Sequence, residues 1–359
     1  MSIKSVFTVF LANALLCSLL LSSAGCHSIG PETIKRDRMH YSSAVSDSWK
    51  EQLLLNIVKT RYGDAPSFLE VSSVVAGYTL ETGLRVNGQY SPPSLRGDTF
   101  AGGEIAGKLT DRPTITYAPL TGQKFAHGLM SPIPLDALWS VIEGGEPADF
   151  LLGLTVKSVE GHDNLGVYGG QFFPGDPEFN QSLQLIGSLQ RAHATEFDST
   201  NVGALVETSI QFRSGKNVAN LEPQLARLKE LLNIPQQTNR VKVVFDTTSA
   251  EPGIVGMRTR SLMQILVTLG AGVQVPSEHV AAGGIVRVKA SQFLLEFTIH
   301  SSKEKPKQSF ACAPYRDHWF WIDQTDLPSK TTLSVVTILF NFLEGSAATT
   351  GPVLTIPTN

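Results

Sequence analysis

The sequence predicts an α+β fold, in which mixed or antiparallel sheets pack against helices in two small layered units. Segments with an apolar residue every three or four positions are interleaved with segments that alternate apolar and polar residues. The alternating segments are short and partly amphipathic, which favours antiparallel pairing over a doubly wound parallel sheet. The sequence contains no fixed repeat of about 20 to 50 residues, so it does not indicate a solenoid.

The composition is that of a folded chain without a basic surface. Of 359 residues, 42% are hydrophobic and 17% are charged, and the net charge is -3. Disorder requires few apolar residues and a high net charge, so it is not expected. Nucleic-acid phosphates require clustered Lys and Arg, so no nucleic-acid partner is expected. Three cysteines are too few for a disulfide scaffold or a four-thiolate zinc site. We expect neither a metal nor a cofactor.

Each predicted helix has one apolar face and a residue that is typical of a helix start or a helix end. In the first, Trp49, Leu53 and Ile57 recur on one face. Ser48 fits the position before its first turn, and Gly63 fits the position past its end. Further helices are predicted for residues 135–143, 177–189, 225–232, 259–270 and 329–344.

The predicted strands are short apolar or alternating runs bounded by turn residues. They cover residues 68–78, 112–120, 151–159, 206–212, 241–245, 285–288, 294–300 and 319–322. Between the first two lies the segment 81–112, which is rich in glycine. This segment is predicted to be either a run of short hairpins or an exposed loop. Loops of this length are often functional.

These elements suggest four consecutive regions. Residues 1–25 are a predicted signal peptide, and the polar residues 26–42 are a predicted tether. A first α+β unit is expected over 43–197 and a second over 203–359, with a seam near residues 195–203.

The N-terminus has the order of a secretory signal. Lys4 precedes an apolar stretch from residue 6 to residue 21, and small residues follow it. The stretch is shorter than the roughly 20 residues that a membrane-spanning helix needs. Cleavage is therefore expected, and an uncleaved anchor is the alternative.

Ser23-Ala24-Gly25-Cys26 resembles the lipobox of bacterial lipoproteins. The resemblance implies cleavage between Gly25 and Cys26 and a membrane anchor of three acyl chains, starting with diacylglycerol on the Cys26 thiol. Several chains together anchor a protein firmly, since each buried CH₂ contributes about 0.8 kcal/mol. The alternative is ordinary signal cleavage nearby with Cys26 left as a free thiol. His27, where Asp would favour retention in the inner membrane, points to the outer membrane, with the body in the periplasm.

Three strings of the body also resemble a known group. Residues 48–58, Arg112-Pro113-Thr114-Ile115-Thr116-Tyr117 and residues 319–323 are similar to an uncharacterised group of Gram-negative lipoproteins. The group carries no assigned activity, so the resemblance implies a location and no chemistry. With Cys17 removed and Cys26 acylated, Cys312 would stand alone and is expected to be a buried small hydrophobe.

Local motifs for catalysis are missing from the sequence. It has no H-E-x-x-H helix, no G-x-S-x-G elbow, no phosphate loop and no G-x-G-x-x-G fingerprint. The densest local cluster is Arg316, Asp317 and His318, just before Trp319. Asp323 is expected on the opposite strand face from His318, because the two are five residues apart. No catalytic residue is assigned.

Surface recognition is the remaining hypothesis. Aromatic residues beside adaptable glycine backbone are typical of binding surfaces, and Tyr90, Arg96 and Phe100 are the candidate partner surface in segment 81–112. The sequence thus predicts a structural or interaction protein of the cell envelope with a protein partner there. The alternative is an enzyme, or a small-ligand or glycan receptor, with a site assembled from distant residues.

Overall fold

The computed structural model describes residues 29–75, 78–89, 100–203, 205–213, 219–249, 251–288 and 295–344. These residues form helices and several small mixed or antiparallel sheets, which confirms the predicted α+β class. The chain divides into two compact units, residues 1–49 and residues 50–359. Among the described residues, no helix combines the length and the apolar character needed to span a bilayer.

The first helix, α1, runs from Ile29 to Arg61. It therefore begins inside residues 26–42, whose role as a tether stays a prediction. Ser48 lies within the helix rather than before it, so the predicted helix start is wrong. The predicted end of α1, just before Gly63, is confirmed. Gly63 has φ +73, a left-handed conformation that favours glycine, and its amide donates to the carbonyl of Thr60.

The predicted glycine-rich segment and its flanks form two antiparallel strand pairs. Strand β1 (Phe68–Val75) pairs with β4 (Thr114–Leu120), and β2 (Tyr78–Gln89) pairs with β3 (Phe100–Asp111). We call these two pairs together the ribbon. The segment 81–112 is thus largely one long hairpin, instead of several short hairpins or an unstructured loop.

Three helices follow the ribbon. They are α2 (Gly122–Met130), α3 (Leu135–Glu143) and α4 (Ala148–Thr155). Helix α3 has the predicted bounds. Its Trp139 is fully buried, donates from Nε1 to the backbone oxygen of Ser209 (2.9 Å) and stacks edge-on against Phe197.

A six-stranded sheet forms the centre of residues 50–359. Its strands are β5 (Val156–Val159), β6 (His162–Asp163), β9 (Thr195–Val202), β10 (Leu205–Phe212), β11 (Arg240–Val244) and β12 (Ile254–Thr259), in the order β6-β5-β12-β11-β10-β9. Strands β11 and β12 are parallel, and the other neighbours are antiparallel. A separate small pair is formed by β7 (Gly166–Tyr168) and β8 (Gln171–Phe173).

One face of this sheet is buried and the other is charged. Ile210 and Val255 meet Leu152 of α4 and Phe179 of helix α5 (Pro177–Arg191) in the core. Helix α6 (Glu222–Leu231) packs against α5. On the opposite face Arg240 pairs with Asp198 (2.7 Å) and Lys242 with Glu207 (3.5 Å). Exposed pairs of this kind contribute little to stability.

The remaining described elements are three helices and a second, three-stranded sheet. The helices are α7 (Leu262–Gly270), α8 (Ser277–Ala282) and α9 (Leu327–Glu344), and the strands are β13 (His300–Ser302), β14 (Ala311–Tyr315) and β15 (His318–Ile322), in the order β13-β15-β14. Phe320 and Ile322 of β15 are fully buried. Cys312 is buried, as expected, and burial raises the pKa of its thiol.

The central sheet corrects the predicted seam. Strand β9 occupies the residues where the seam was expected, and β5 pairs with β12, so strands from both predicted units share one sheet. The division into 43–197 and 203–359 therefore does not match the described structure.

Three of the predicted strands also differ from the strands in the described structure. Residues 151–155 are the end of α4, and only 156–159 are strand. At 285–288 the structure has one isolated bridge, at Arg287. Residues 295–299 are irregular apart from a bridge at Ile299, and the strand proper begins at His300.

Candidate functional site

Of the three residues of the predicted partner surface, the structure describes Phe100. Tyr90 and Arg96 lie outside the described residues, as do Gly25 and Cys26. Phe100 begins β3 and pairs in register with Gln89. The structure therefore gives the backbone of the hairpin that carries the predicted surface, and the register of that hairpin defines the candidate site.

Register places the apolar residues of β2 and β3 in one alternate row. Leu80 is opposite Leu109, and Leu84 is opposite Ile105. Facing residues of an antiparallel pair share a face, and so do residues two positions apart. The same row continues towards the tip through pairs that contain glycine, namely Val86 with Gly103 and Gly88 with Ala101.

The other alternate row of β2 and β3 contains two charged pairs, together with Gly83 opposite Ala106 and Gln89 opposite Phe100. Glu81 is opposite Lys108, and Arg85 is opposite Glu104. Opposite charges at facing positions favour this register. The register therefore places the predicted surface residue Phe100 in the row of the charged pairs and not in the row of Leu80 and Leu84.

The base of the ribbon leaves its apolar residues in solvent. Tyr117 is 58% exposed, Leu69 52% and Ile115 41%. Val71 pairs with Tyr117 and Val74 with Ile115, on either side of a bulge. In the part of the chain that the structure describes, neither strand pair gains a third strand. Clustered exposed apolar residues of this kind mark interaction surfaces.

A second cluster lies at the turn that joins β14 to β15. Arg316 and Asp317 both have positive φ, as a two-residue type I′ hairpin requires. The turn brings Tyr315 beside Asp64, to which its hydroxyl donates a hydrogen bond, and Arg316 lies 3.4 Å from the same carboxylate. His318, which is 7% exposed, has its Nε2 at 3.3 Å from Glu278.

The residues following α1 complete this cluster. Oη of Tyr62 lies 2.8 Å from Nδ1 of His279. The His279 ring meets the His318 ring edge-on, with centroids 4.9 Å apart. The Arg316 guanidinium lies 4.8 Å above the Tyr62 ring. The structure therefore gathers two histidines, two tyrosines and two carboxylates around the densest local cluster of the sequence.

The electrostatics of this cluster keep its phenols protonated. Burial raises the pKa of Tyr62 to about 12 and also raises the pKa of Tyr315. Tyr62 therefore keeps its hydroxyl hydrogen at neutral pH, and its oxygen lies within hydrogen-bond distance of Nδ1 of His279. The hydrogen bond from Tyr315 lowers the pKa of Asp64. A protonated phenol is a hydrogen-bond donor rather than a base, so the arrangement suits polar binding or support more than proton abstraction.

This cluster could not be predicted from local sequence patterns, because its residues are far apart along the chain. Tyr62 and His279 are 217 positions apart, and no local pattern links them. Asp323, expected on the opposite face, accepts hydrogen bonds from Thr325. His318 uses Glu278 rather than its neighbour Asp317 as its acidic partner.

Three open clefts among the described residues lie away from the cluster around Tyr62, His279 and His318, here called the histidine cluster. The most apolar one, of about 490 Å³, lies between residues 132–136 and strands β10 and β11. Two others, of about 570 and 340 Å³, border α5 and the end of α6. None of these three is lined by Tyr, Trp or a residue of the cluster. Among the described residues, no three His, Cys, Asp or Glu side chains are placed to hold a metal ion.

Two buried arginines differ in whether their guanidinium groups have hydrogen-bond acceptors. Arg260 is 1% exposed and donates to the backbone oxygens of Gly153 (3.2 Å), Leu154 (2.7 Å) and Leu165. Arg61, next to Tyr62, is 7% exposed, and its Nε and Nη1 have no hydrogen-bond partner in the described structure. Burial lowers the pKa of both groups to about 10.

Comparison of the chain with protein-family models, with curated proteins and with solved structures gives no match. Function must therefore be inferred from the residues and geometry described above.

Proposed function

We propose that this chain is a lipoprotein of the bacterial outer membrane, held there by acyl chains on Cys26. Its body would lie in the periplasm and dock through the ribbon onto another component of the envelope. The order of charge, apolar stretch and small residues before Cys26 supports the anchor.

The observation that carries the docking proposal is the exposed apolar base of the ribbon. Leu69, Ile115 and Tyr117 are each more than two-fifths exposed, while the core residues nearby in sequence, such as Phe68, are buried. Leaving such residues in water costs free energy, since apolar burial is worth about 25 cal/mol per Å². A partner that covers the row would recover this energy.

The experiment is a detergent pull-down of the full chain from membranes, with mass spectrometry of the partner and of the N-terminal peptide. We expect an acylated peptide that begins at Cys26, and a partner that is lost when residues 85–108 are replaced by a Gly-Ser link. The matched control replaces residues 304–308, which are exposed except for Pro306 and lie on the connection from β13 to β14, by the same link and should retain the partner.

Two results would contradict the proposal. A Cys26→Ser chain that stays in the membrane fraction at unchanged mass would exclude the lipid anchor. A partner that is retained by the shortened ribbon, or lost equally by the control, would exclude docking through the ribbon.

The alternative is an enzyme or a small-ligand receptor that uses the cluster around Tyr62, His279 and His318. The observation in its favour is the convergence of titratable groups there. It is the weaker proposal, because the three clefts described above are elsewhere. A glycan receptor has less support, since those clefts present neither Trp nor Tyr.

A further inference from the structure

Helix α1 is hydrogen-bonded to one edge of the β1–β4 pair. The side-chain amide of Gln52 donates to the backbone oxygen of Leu69 (3.0 Å) and accepts from its backbone amide. Asn56 makes the same two contacts with Ser67, each at 2.8 Å. Because main-chain groups alternate in direction along a strand, those of Leu69 point away from β4. The outer edge of β1 is therefore occupied at its start.

The edge of β4 is open over the described residues, where β1 is its only neighbouring strand. Pro119 faces Leu69 in the register and has no N–H, so its main chain also points outward. The extra residue of the bulge lies in β1, so the alternation along β4 is regular. Tyr117 and Ile115, two and four positions before Pro119, therefore turn their N–H and C=O groups to the open edge.

This open edge has the chemistry of a site for strand addition. Residues 114–117 are exposed, and residues 113–119 include no charged side chain. Charged residues are one means by which proteins block an open edge. The exposed side chains of Tyr117 and Ile115 also share one face. An added strand with apolar residues at the facing positions would contact both side chains and pair with their main-chain groups.

The chain itself has a strand-like sequence beyond α9. Residues 345–359 lie outside the described residues. Within them, residues 353–356 are Val-Leu-Thr-Ile and have a proline on either side. Three of these four residues are β-branched, as strands favour. Strand β4 is bounded in the same way, with Pro113 before it and Pro119 near its end.

Helix α9 brings the chain to the end of β4. The Phe340 ring packs against the Phe68 ring, with centroids 4.7 Å apart, and Phe68 pairs with Leu120, the last residue of β4. The helix ends at Glu344, about 6 Å beyond Phe340 along its axis. At about 3.3 Å per residue, residues 345–352 span up to roughly 26 Å. The 7 residues of β4 extend over roughly 24 Å. A segment that starts near Leu120 and follows this edge runs antiparallel to β4.

We infer that residues 353–356 add to the open edge of β4 as an antiparallel third strand. The register that sets Pro352 opposite Pro119 leaves no N–H without an acceptor at that position. It also sets Thr355 opposite Thr116, and threonine pairs are favourable across strands. The remaining facing pairs are apolar on both strands and exchange main-chain hydrogen bonds, namely Leu354 with Tyr117 and Ile356 with Ile115.

The inference goes beyond the proposed docking role and changes what a partner must do. The added strand would occupy the β4 edge and contact the side chains of Tyr117 and Ile115. A partner that binds this face would therefore compete with residues 353–356 of the same chain.

Disulfide formation in the full chain tests the register. Thr116 and Thr355 would form a non-hydrogen-bonded pair with Cβ atoms about 4.5 Å apart, close enough for a disulfide. The combined Thr116→Cys and Thr355→Cys changes should therefore link within one chain under mild oxidation, as peptide mass spectrometry would show. The control combines Thr116→Cys with Leu354→Cys. Leu354 would lie on the opposite face, so this pair should link about tenfold less.

Amide hydrogen exchange tests the hydrogen bonds. In the full chain in detergent, the amides of Ile115 and Tyr117 should be protected, since each would donate to the added strand. Leu354→Pro removes an N–H that would face β4 and should speed the exchange of both amides about tenfold or more. Thr355→Pro is the matched control, because the N–H of Thr355 would face away from β4. It should change their exchange less than about threefold. Unchanged exchange in the central sheet establishes that both variants are folded.

Three results would each overturn the inference. The first is that the Ile115 and Tyr117 amides are unprotected in the full chain. The second is that Thr116→Cys links two chains and protection is lost on dilution, which would assign the edge to a second copy. The third is protection that requires the membrane and survives Leu354→Pro, which would assign the edge to an envelope component. None of these depends on the pull-down with residues 85–108 replaced, so each is distinguishable from a failure of ribbon docking.

Discussion

Arg61 and Arg260 form a matched pair for a stability experiment, because both guanidinium groups are buried and only one is hydrogen-bonded. Their exposed fractions are 7% and 1%. Burial lowers both pKa values from 12.5 to about 10. Arg260 donates to three backbone oxygens, whereas Nε and Nη1 of Arg61 have no partner among the described residues.

We expect Arg61→Met to stabilise the chain. A fall in pKa from 12.5 to about 10 corresponds to roughly 3 kcal/mol against the folded cation, at ~1.4 kcal/mol per pKa unit. Methionine keeps much of the apolar packing of the arginine stem and removes the charge and the unsatisfied donors. After allowance for the guanidinium atoms that still reach water, the expected gain in free energy of unfolding is about 1–3 kcal/mol.

We expect Arg260→Met to have the opposite sign. Removing the cation recovers a similar desolvation free energy, but it also removes the guanidinium hydrogen bonds to the carbonyls of Gly153, Leu154 and Leu165. Hydrogen bonds from a charged donor contribute about 1.5–3 kcal/mol each, so three of them outweigh the recovered term. The net loss should be about 2–5 kcal/mol.

The assay is urea unfolding of both variants beside the parent chain, followed by far-ultraviolet circular dichroism. The midpoint should move up for Arg61→Met and down for Arg260→Met, with unchanged slopes. Since the lowered arginine pKa values remain near 10, the difference should be constant between about pH 6 and 8. If both variants lose stability by a similar amount, buried arginine packing dominates and the reasoning about unsatisfied donors is wrong.

Three smaller substitutions test the turn after α1, a glycine inside a helix and the electrostatics beside that turn. Gly63 has φ +73 and no heavy atom near the place of a Cβ, so Gly63→Ala should cost about 1 kcal/mol in urea unfolding from backbone strain alone. The helical Gly128 is equally open, and Gly128→Ala should instead stabilise by about 0.5–1 kcal/mol. The Tyr315 hydroxyl lowers the pKa of Asp64, so Asp64 supports folding at neutral pH and loses this contribution as the pH falls through its folded pKa. Tyr315→Phe should raise that pKa in a carboxyl NMR titration and shrink the acid-side loss, and an unchanged Asp64 titration would refute the assignment.

The local sequence pattern is sufficient to predict a helix or strand where one face of that element is buried and the other is not. Helix α3 has its predicted bounds because Pro134 and Gly144 fix its ends and an apolar stripe faces the core. The prediction of a strand at residues 151–155 is wrong because this segment has no exposed face. All five of its residues are buried, so the sequence carries no period that separates a helix from a strand.

The polar N-terminal part of α1 shows another limit. Residues 29–42 lack an apolar stripe, which favours a tether, yet Ile29–Arg61 is one helix. The histidine cluster shows a third limit of prediction from local sequence, because its members come from three distant places in the chain. These are the end of α1, helix α8 and the β14–β15 turn. The charged neighbours of His318 mark it in the sequence, whereas no local signal marks Tyr62 or His279.

The bulge in β1 links the geometry of the ribbon to its proposed role. Val71 and Val74 are three positions apart, so regular alternation would place them on opposite faces. The register shifts between Val71 and Ser73, and their partners Tyr117 and Ile115 are only two positions apart. The extra residue therefore returns Val74 to the row of Val71. A one-residue slip in pairing would otherwise move every later residue of that strand to the other face. The bulge thus keeps Val71 and Val74 on one face of the β1–β4 pair together with their partners Tyr117 and Ile115. A partner that covers the exposed side chains of Tyr117 and Ile115 would contact that same face, so the bulge supports docking at the base of the ribbon.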